Sequence, residues 1–210
     1  DFCLSRGLGD VYKRQPLKLR LPLITCVLFL LILPALINHV NCTSNTLYAH
    51  AETTTLSGGN VYYTLKLSSA NGPATTISKS AASTCRQLMG RWIYPLNGIV
   101  SVSASTWTVT YRVKKSASST YVIAHCDIDI LIRKSDNTIR ATIATNVANS
   151  PTLSGSNVWQ TLTGTYSWLD YTVVDQTDYL EVAYYIDVTQ SSSSKSVYLQ
   201  VDDSTLPLAD

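Results

Sequence analysis

Two aromatic and two acidic side chains near the end of the chain have the types and spacing of a sugar-binding face. In the segment DYLEVAYYIDV, Tyr179, Glu181, Tyr185 and Asp187 alternate with mostly apolar residues. Alternate side chains of a strand point to the same face. Sugars stack on exposed aromatic rings while nearby acids hold their hydroxyls. The pattern predicts a ligand-binding face, with ordinary surface tyrosines as the alternative.

A second group of polar residues has the types that ligate metal ions. His125, Asp127 and Asp129 alternate along YVIAHCDIDILIRK, so neighbouring members stand about 6.8 Å apart on a strand. We interpret this stripe as exposed polar surface. Asp202 and Asp203 are the preferred metal candidates, because clustered oxygen ligands suit a structural Ca²⁺ ion. No other cofactor is expected.

The sequence lacks the motifs of common catalytic sites. It has no G-x-S-x-G elbow, no H-E-x-x-H pair and no glycine-rich phosphate loop, and beyond residue 42 its histidines are His50 and His125. Acid pairs such as Asp127 with Asp129 alternate with apolar residues and are interpreted as solvent-facing. We therefore predict that the chain is not an enzyme.

The cysteines bear on the compartment. Cys42, Cys85 and Cys126 remain once the first 41 residues are set aside. An exported protein can form disulfides, and Cys85 with Cys126 is the candidate pair. Unbridged buried thiols are the favoured alternative, because Cys126 falls on the apolar side of its predicted strand.

Strands must position all of these residues. Short runs of β-branched and aromatic residues alternate with Ser, Gly, Asn and Asp clusters, and no long window has a helical period. One hairpin is predicted around the turn KSDNT, with Ile139 facing inward, and a second joins DYLEVAYYIDV to SVYLQVDD. Eight to ten antiparallel strands predict an all-β, two-sheet β-sandwich, preferably a jelly roll, with an immunoglobulin-like sandwich as the alternative.

The chain divides into three segments. Residues 1–15 contain RGLGDVYKRQ, which resembles a translated sequencing adapter, and we interpret them as an artefact. Residues 16–42 place Lys18 and Arg20 ahead of the apolar run 21–37, which predicts one hydrophobic helix acting as a signal peptide or N-terminal membrane anchor. Residues 43–210 are predicted to form the β-sandwich domain, and we expect that it is truncated at the C-terminus, because STLPLAD ends the sequence without an evident closing feature.

The charge balance limits the partners. The whole chain has 16 Lys and Arg against 14 Asp and Glu, whereas residues 43–210 have 11 against 12. A nearly neutral domain without a basic patch does not predict a nucleic-acid partner. The membrane is expected to be contacted through the N-terminal hydrophobic segment alone.

The closing segments WQTLTGTYSW, DYLEVAYYIDV and SVYLQVDD, over about residues 157 to 203, resemble the end of carbohydrate-binding-module jelly rolls. That resemblance implies glycan binding and the Ca²⁺ ion considered above. The whole domain also resembles exported proteins of archaeal and bacterial metagenomes, from which no function follows.

We therefore expect an extracellular or cell-surface domain that binds a glycan or acts as an adhesin. The alternative is a structural subunit of a surface layer or filament. Its partners would be copies of itself, joined by donation of the strand NTLYAHAETTTL.

Overall fold

The computed structural model describes residues 46–69, 73–81, 84–117, 121–191 and 195–202. Within these ranges the chain is all-β, and no helix is long and apolar enough to cross a bilayer. The predicted adapter segment 1–15 and the predicted hydrophobic helix within 16–42 lie outside the described residues. The strands are β1 (Tyr48–Thr55), β2 (Val61–Lys66), β3 (Thr75–Ser80), β4 (Arg86–Pro95), β5 (Ser101–Val102), β6 (Ser105–Lys115), β7 (Ile123–Arg133), β8 (Ile139–Val147), β9 (Gln160–Trp168), β10 (Tyr171–Thr172), β11 (Tyr179–Gln190) and β12 (Ser196–Val201).

The strands form two main sheets and one short ribbon. The larger sheet has the order β1-β2-β4-β11-β7-β8, the smaller has the order β3-β12-β6-β9, and β5 pairs with β10. All described pairs are antiparallel except β2 with β4, which run parallel and place Tyr63 opposite Trp92 and Thr64 opposite Ile93.

The core lies between the two main sheets, which makes the domain a β-sandwich. The apolar stripe predicted for β7 is confirmed, since each member is at most 2% exposed: Val122, Ala124, Cys126, Ile128, Ile130 and Ile132. The stripes predicted for β11 and β12 are buried as well: Leu180, Val182, Tyr184, Ile186, Val188, Val197, Leu199 and Val201. Side chains of both sheets belong to one apolar cluster.

An aromatic contact joins the sheets at the centre of this core. Tyr184 of β11 meets Trp92 of β4 edge to face at 5.0 Å and Tyr111 of β6 at 5.5 Å between ring centroids. Edge-to-face aromatic pairs contribute about 0.5–1.5 kcal/mol beyond their buried area. Gly90 leaves the room that the Trp92 indole needs, since a Cβ there would lie 2.6 Å from the ring.

Two predictions about pairing are wrong. β11 and β12 do not form a hairpin, because β11 lies in the larger sheet and β12 pairs with β3 and β6 in the smaller one. Ile139 does not face the core and is 51% exposed. Register shifts in the β7–β8 pair place it opposite Arg133, on the other side of the sheet. The β7–β8 hairpin itself is confirmed.

We expect Gly164→Ala to destabilise the domain by about 3 kcal/mol, because the new Cβ would overpack a filled site. It would lie 1.9 Å from the carbonyl oxygen of Ala148, which accepts a hydrogen bond from Tyr111 at 2.8 Å. Urea unfolding of the full chain measures the change. Thr163→Ala, at the exposed neighbouring position, is the control. Equal midpoints for the two variants would contradict this account.

Candidate functional site

The predicted ligand-binding residues lie on the outer face of the larger sheet, which we define as the side turned away from the smaller sheet. β11 is an inner strand with β4 on one side and β7 on the other. Its neighbours place Tyr179 opposite Arg133, Tyr185 opposite Asp127 and Asp187 opposite His125. Long side chains of three adjacent strands therefore cover one another on this face.

Glu181 does not face a ligand, and its predicted surface role is wrong. It is fully buried and accepts a hydrogen bond through Oε2 from Nε of Arg133, while Arg91 Nε lies 3.5 Å from its Oε1. The Arg133 guanidinium lies 5.4 Å from the ring centroid of Tyr62, which covers it. Glu181 is therefore part of a buried ion pair.

Arg86 organises the other end of the outer face. Its guanidinium donates to Oδ1 of Asp127 from Nε at 2.7 Å and to both carboxylate oxygens of Asp129 at 2.6 and 3.2 Å. It also lies 3.5 Å above the centroid of Tyr185. The ring face that we predicted as a sugar platform is therefore occupied by Arg86.

A one-residue bulge brings Arg86 to this face. Tyr184 lies opposite Gly90 but Tyr185 lies opposite Leu88, so Met89 is the extra residue in β4. Because side chains alternate with period two, the bulge moves every earlier side chain of β4 to the other face. Arg86 then stands opposite Asp187 and reaches the carboxylates of β7.

The predicted exposed stripe on β7 is largely buried, so the interpretation of its acids as solvent-facing is wrong. Asp127 is 0% and Asp129 is 8% exposed. Burial raises the pKa of Asp127, and the hydrogen bonds and charge of Arg86 oppose that rise. Asp129 also accepts a hydrogen bond from the backbone N–H of Asn146 at 2.9 Å.

The structure groups the metal-ligating types differently from the sequence prediction. One ligand atom each of His125, Asp127 and Asp187 lies within 4.8 Å of the other two. Nε2 of His125 is 3.7 Å from Oδ2 of Asp187, its partner across the β7–β11 ladder. Asp187, predicted as a sugar contact, therefore joins two residues of the predicted polar stripe.

Asp202 fastens the end of β12 to β1. Its Oδ1 accepts from the N–H of Ala51 at 2.9 Å, and its own N–H donates to the carbonyl of Ala49 at 3.0 Å. Nδ1 of His50 is 3.6 Å from the same carboxylate. Asp203 lies outside the described residues, so the Ca²⁺ site of Asp202 and Asp203 stays a prediction.

The candidate disulfide is not formed. Cys126 is buried in the core, whereas Cys85 is exposed ahead of β4. The carbonyl of Cys85 accepts a hydrogen bond from Val188 at 3.1 Å. The favoured alternative of an unbridged buried thiol describes Cys126, and burial raises its pKa to about 12.

Tyr179 lies apart from the other predicted ligand residues, in a groove of about 650 Å³ at the β1-β2-β4 side of the larger sheet. Tyr185 is six positions farther along β11, or about 20 Å away along the strand. We define the β2–β4 groove by its lining residues: Glu52, Thr53, Thr54, Thr64, Leu65, Lys66, Leu67, Ser68, Ile93, Tyr94, Pro95 and Tyr179. Sequence reasoning missed Thr64 and Lys66, because β2 and β4 pair in parallel and no local pattern signals such a contact.

The groove combines apolar and polar surface. Tyr179 is partly exposed, whereas Tyr94 lies opposite Leu180 and packs against the core. Lys66 pairs with Glu52 at the rim. The hydroxyl oxygen of Thr64 is buried and has no hydrogen-bond partner among the described residues. The volume of the β2–β4 groove falls within the range of about 300–1,000 Å³ seen for ligand pockets.

Comparison with known proteins identifies no family. No family model matches the sequence, and no curated protein matches it. Among solved structures, the infectious bursal disease virus Gt strain matches at TM-score 0.29 and 8% identity, over 63% of this chain and 29% of that chain. The infectious bursal disease virus VP2 subviral particle matches at TM-score 0.28 and 10% identity, over 73% and 38%. The chain thus spans about a third of the length of these structures.

We expect Arg86→Met to lower the free energy of unfolding by about 3 kcal/mol, because it leaves two buried carboxylates without their cation. Chemical unfolding monitored by tryptophan fluorescence measures the loss. Lys66→Met is the control, since its ion pair with Glu52 is exposed and such pairs contribute little. A similar loss in both variants would show that burial of Asp127 and Asp129 does not increase the contribution of their ion pairs with Arg86 to stability.

Proposed function

We propose that this chain is a non-catalytic, exported or cell-surface module that binds a glycan in the β2–β4 groove. The observation that carries the proposal is the groove itself, where the partly exposed Tyr179 lies beside a row of hydroxyls and a charged pair. Aromatic rings supply the apolar surface on which sugar C–H groups stack. A few placed polar groups then fix the orientation of the ligand.

Three contacts would divide the work of binding. Tyr179 would offer ring surface at the wall formed by β11. Glu52 and Lys66 would hydrogen-bond sugar hydroxyls at the rim. The buried hydroxyl of Thr64 lacks a partner within the described residues, and a sugar hydroxyl would satisfy it. Leaving a buried polar group unpaired costs about 1–3 kcal/mol, which favours such a ligand.

The strand order supports a jelly roll as the particular form of this sandwich. With the β1–β2 hairpin and the short β5–β10 ribbon set aside, eight strands remain in two sheets of four, β4-β11-β7-β8 and β3-β12-β6-β9. Between β3 and β12 the chain crosses repeatedly from one sheet to the other, the pattern of two Greek keys. Jelly rolls are common among sugar-binding domains.

Export is proposed on the sequence. Lys18 and Arg20 precede a long apolar run, the arrangement of a signal peptide or anchor. The near-neutral charge of residues 43–210 favours a glycan or another copy of the chain over nucleic acid. The absence of catalytic motifs supports binding without chemistry.

We expect Tyr179→Ala to weaken glycan binding about tenfold, the effect of losing one stacking contact. Tyr179→Phe keeps the ring and should keep most of the affinity. An array of immobilised oligosaccharides first selects the strongest ligand, and calorimetric titration of that ligand measures the variants. Tyr121→Ala removes a tyrosine that is 51% exposed outside the groove and serves as the control. Equal losses in the Tyr121 and Tyr179 variants, or no ligand on the array, would contradict the proposal.

We expect Thr64→Val to separate binding from stability. No residue that the structure describes forms a hydrogen bond with the Thr64 hydroxyl, so replacing it with a methyl group should leave the unfolding midpoint unchanged or raise it. Glycan affinity should nevertheless fall severalfold. A lower midpoint together with unchanged affinity would place the hydroxyl in the fold and not in the site.

A second proposal is a structural subunit that associates with copies of itself. Three large apolar side chains beside the β5–β10 ribbon favour it: Val100 is 69%, Leu169 is 77% and Val174 is 72% exposed. The strand that we expected to be donated instead pairs within its own chain, as β1 with β2. Sedimentation at rising concentration tests the proposal, which requires association that Leu169→Glu reduces and Glu52→Gln does not.

A further inference from the structure

We propose that His125, Asp127 and Asp187 bind one divalent transition-metal ion on the outer face of the larger sheet. The three side chains come from two adjacent strands, β7 and β11, and their ligand atoms lie within 4.8 Å of one another. The site is separate from the β2–β4 groove, because Asp187 and Tyr179 stand about 26 Å apart along β11.

The unpartnered oxygen of Asp127 carries the inference. Both hydrogen bonds from Arg86 to this carboxylate go to Oδ1. Asp127 is 0% exposed, and its Oδ2 has no hydrogen-bond partner in the part of the chain that the structure describes. A buried carboxylate oxygen without a donor is costly. A cation held between this carboxylate, His125 and Asp187 would satisfy it.

The charges on this face leave room for a divalent ion. Asp127, Asp129 and Asp187 bring three negative charges, and Arg86 supplies one positive charge through its contacts with the first two. With the neutral imidazole that metal binding requires, the group carries a net charge of −2. One divalent cation balances that charge.

The geometry needs only a small adjustment. Donors around a tetrahedral ion at about 2.0–2.1 Å lie about 3.4 Å apart. His125 and Asp187 are already 3.7 Å apart, and their side chains are 25% and 29% exposed, so both can turn toward the ion. Asp127 is held in place by Arg86, which leaves its carboxylate as the fixed ligand.

The ligand set selects the class of metal. An imidazole with two carboxylates suits Zn²⁺ and neighbouring first-row ions, whereas Ca²⁺ and Mg²⁺ prefer oxygen ligands alone. Asp129 does not complete an all-oxygen site, because both of its carboxylate oxygens accept hydrogen bonds from Arg86. Three protein ligands at a partly exposed site leave a position open to water.

Calorimetric titration of the full chain with ZnCl₂, after removal of metals by a chelator, tests the inference. We expect one ion per chain with a Kd in the micromolar range or tighter, and a rise in the thermal unfolding midpoint at saturating Zn²⁺. His125→Ala and Asp187→Asn should each weaken binding at least tenfold. Both residues are partly exposed, so these variants should fold, which circular dichroism verifies, whereas Asp127→Asn perturbs a buried pair.

Asp136→Asn is the matched control, because it removes one exposed carboxylate from the β7–β8 turn and should leave the Zn²⁺ affinity unchanged. Three results would overturn the inference. They are a Kd weaker than millimolar, binding that persists in both the His125 and Asp187 variants, and tighter binding of Ca²⁺ than of Zn²⁺.

Discussion

The packing of the outer face of the larger sheet depends on the hydrogen bonds and ion pairs of Arg86 with Asp127 and Asp129. The smaller sheet packs against the opposite face, yet Asp127 and Asp129 are almost fully removed from water. Their burial is tolerable only because one planar guanidinium reaches both carboxylates and stacks on Tyr185. A lysine would present a point charge without the fork or the flat surface.

The same pattern recurs farther along β11. Arg133 pairs with Glu181, its guanidinium lies over the Tyr62 ring, and it also donates to the carbonyl of Asn137 at 2.7 Å. In both places an arginine neutralises buried acid and an aromatic ring shields it from water. The inner face of the sheet is held by apolar packing and the outer face by these arginine–acid–tyrosine groups, so β11 is buried on both sides from Leu180 to Tyr184.

The sequence predicts the apolar half of this arrangement well. Period-two alternation along β7 and β11 identifies their core residues, because the alternation follows directly from strand geometry. The polar half could not be read in the same way. Alternation predicts the face of the strand on which Asp127 lies. Whether that face is exposed to solvent depends on the side chains of the neighbouring strands.

Three features depend on how strands pair with one another, which the local sequence pattern does not reveal. The bulge at Met89 reverses the face of Arg86, the shifts between β7 and β8 turn Ile139 outward, and the parallel contact of β2 with β4 creates the groove. Each shift by one residue exchanges the two faces of a strand. A sequence reading that assumes regular pairing therefore predicts the strands and misassigns individual side chains. The separation of Tyr179 from Tyr185 shows a different limit, since residues on one face of a long strand need not share a site.

The contacts of Asp202 with β1 have a consequence for the connectivity of the fold. They join the start of β1 to the end of β12 through backbone atoms 3.0 Å apart, although the two strands belong to different sheets. The first and last described strands of the sandwich therefore lie next to each other. A fold of this kind can be cut at an exposed turn and its original ends joined where β1 meets β12. It can also be inserted into a loop of a host protein. Neither change separates the two sheets.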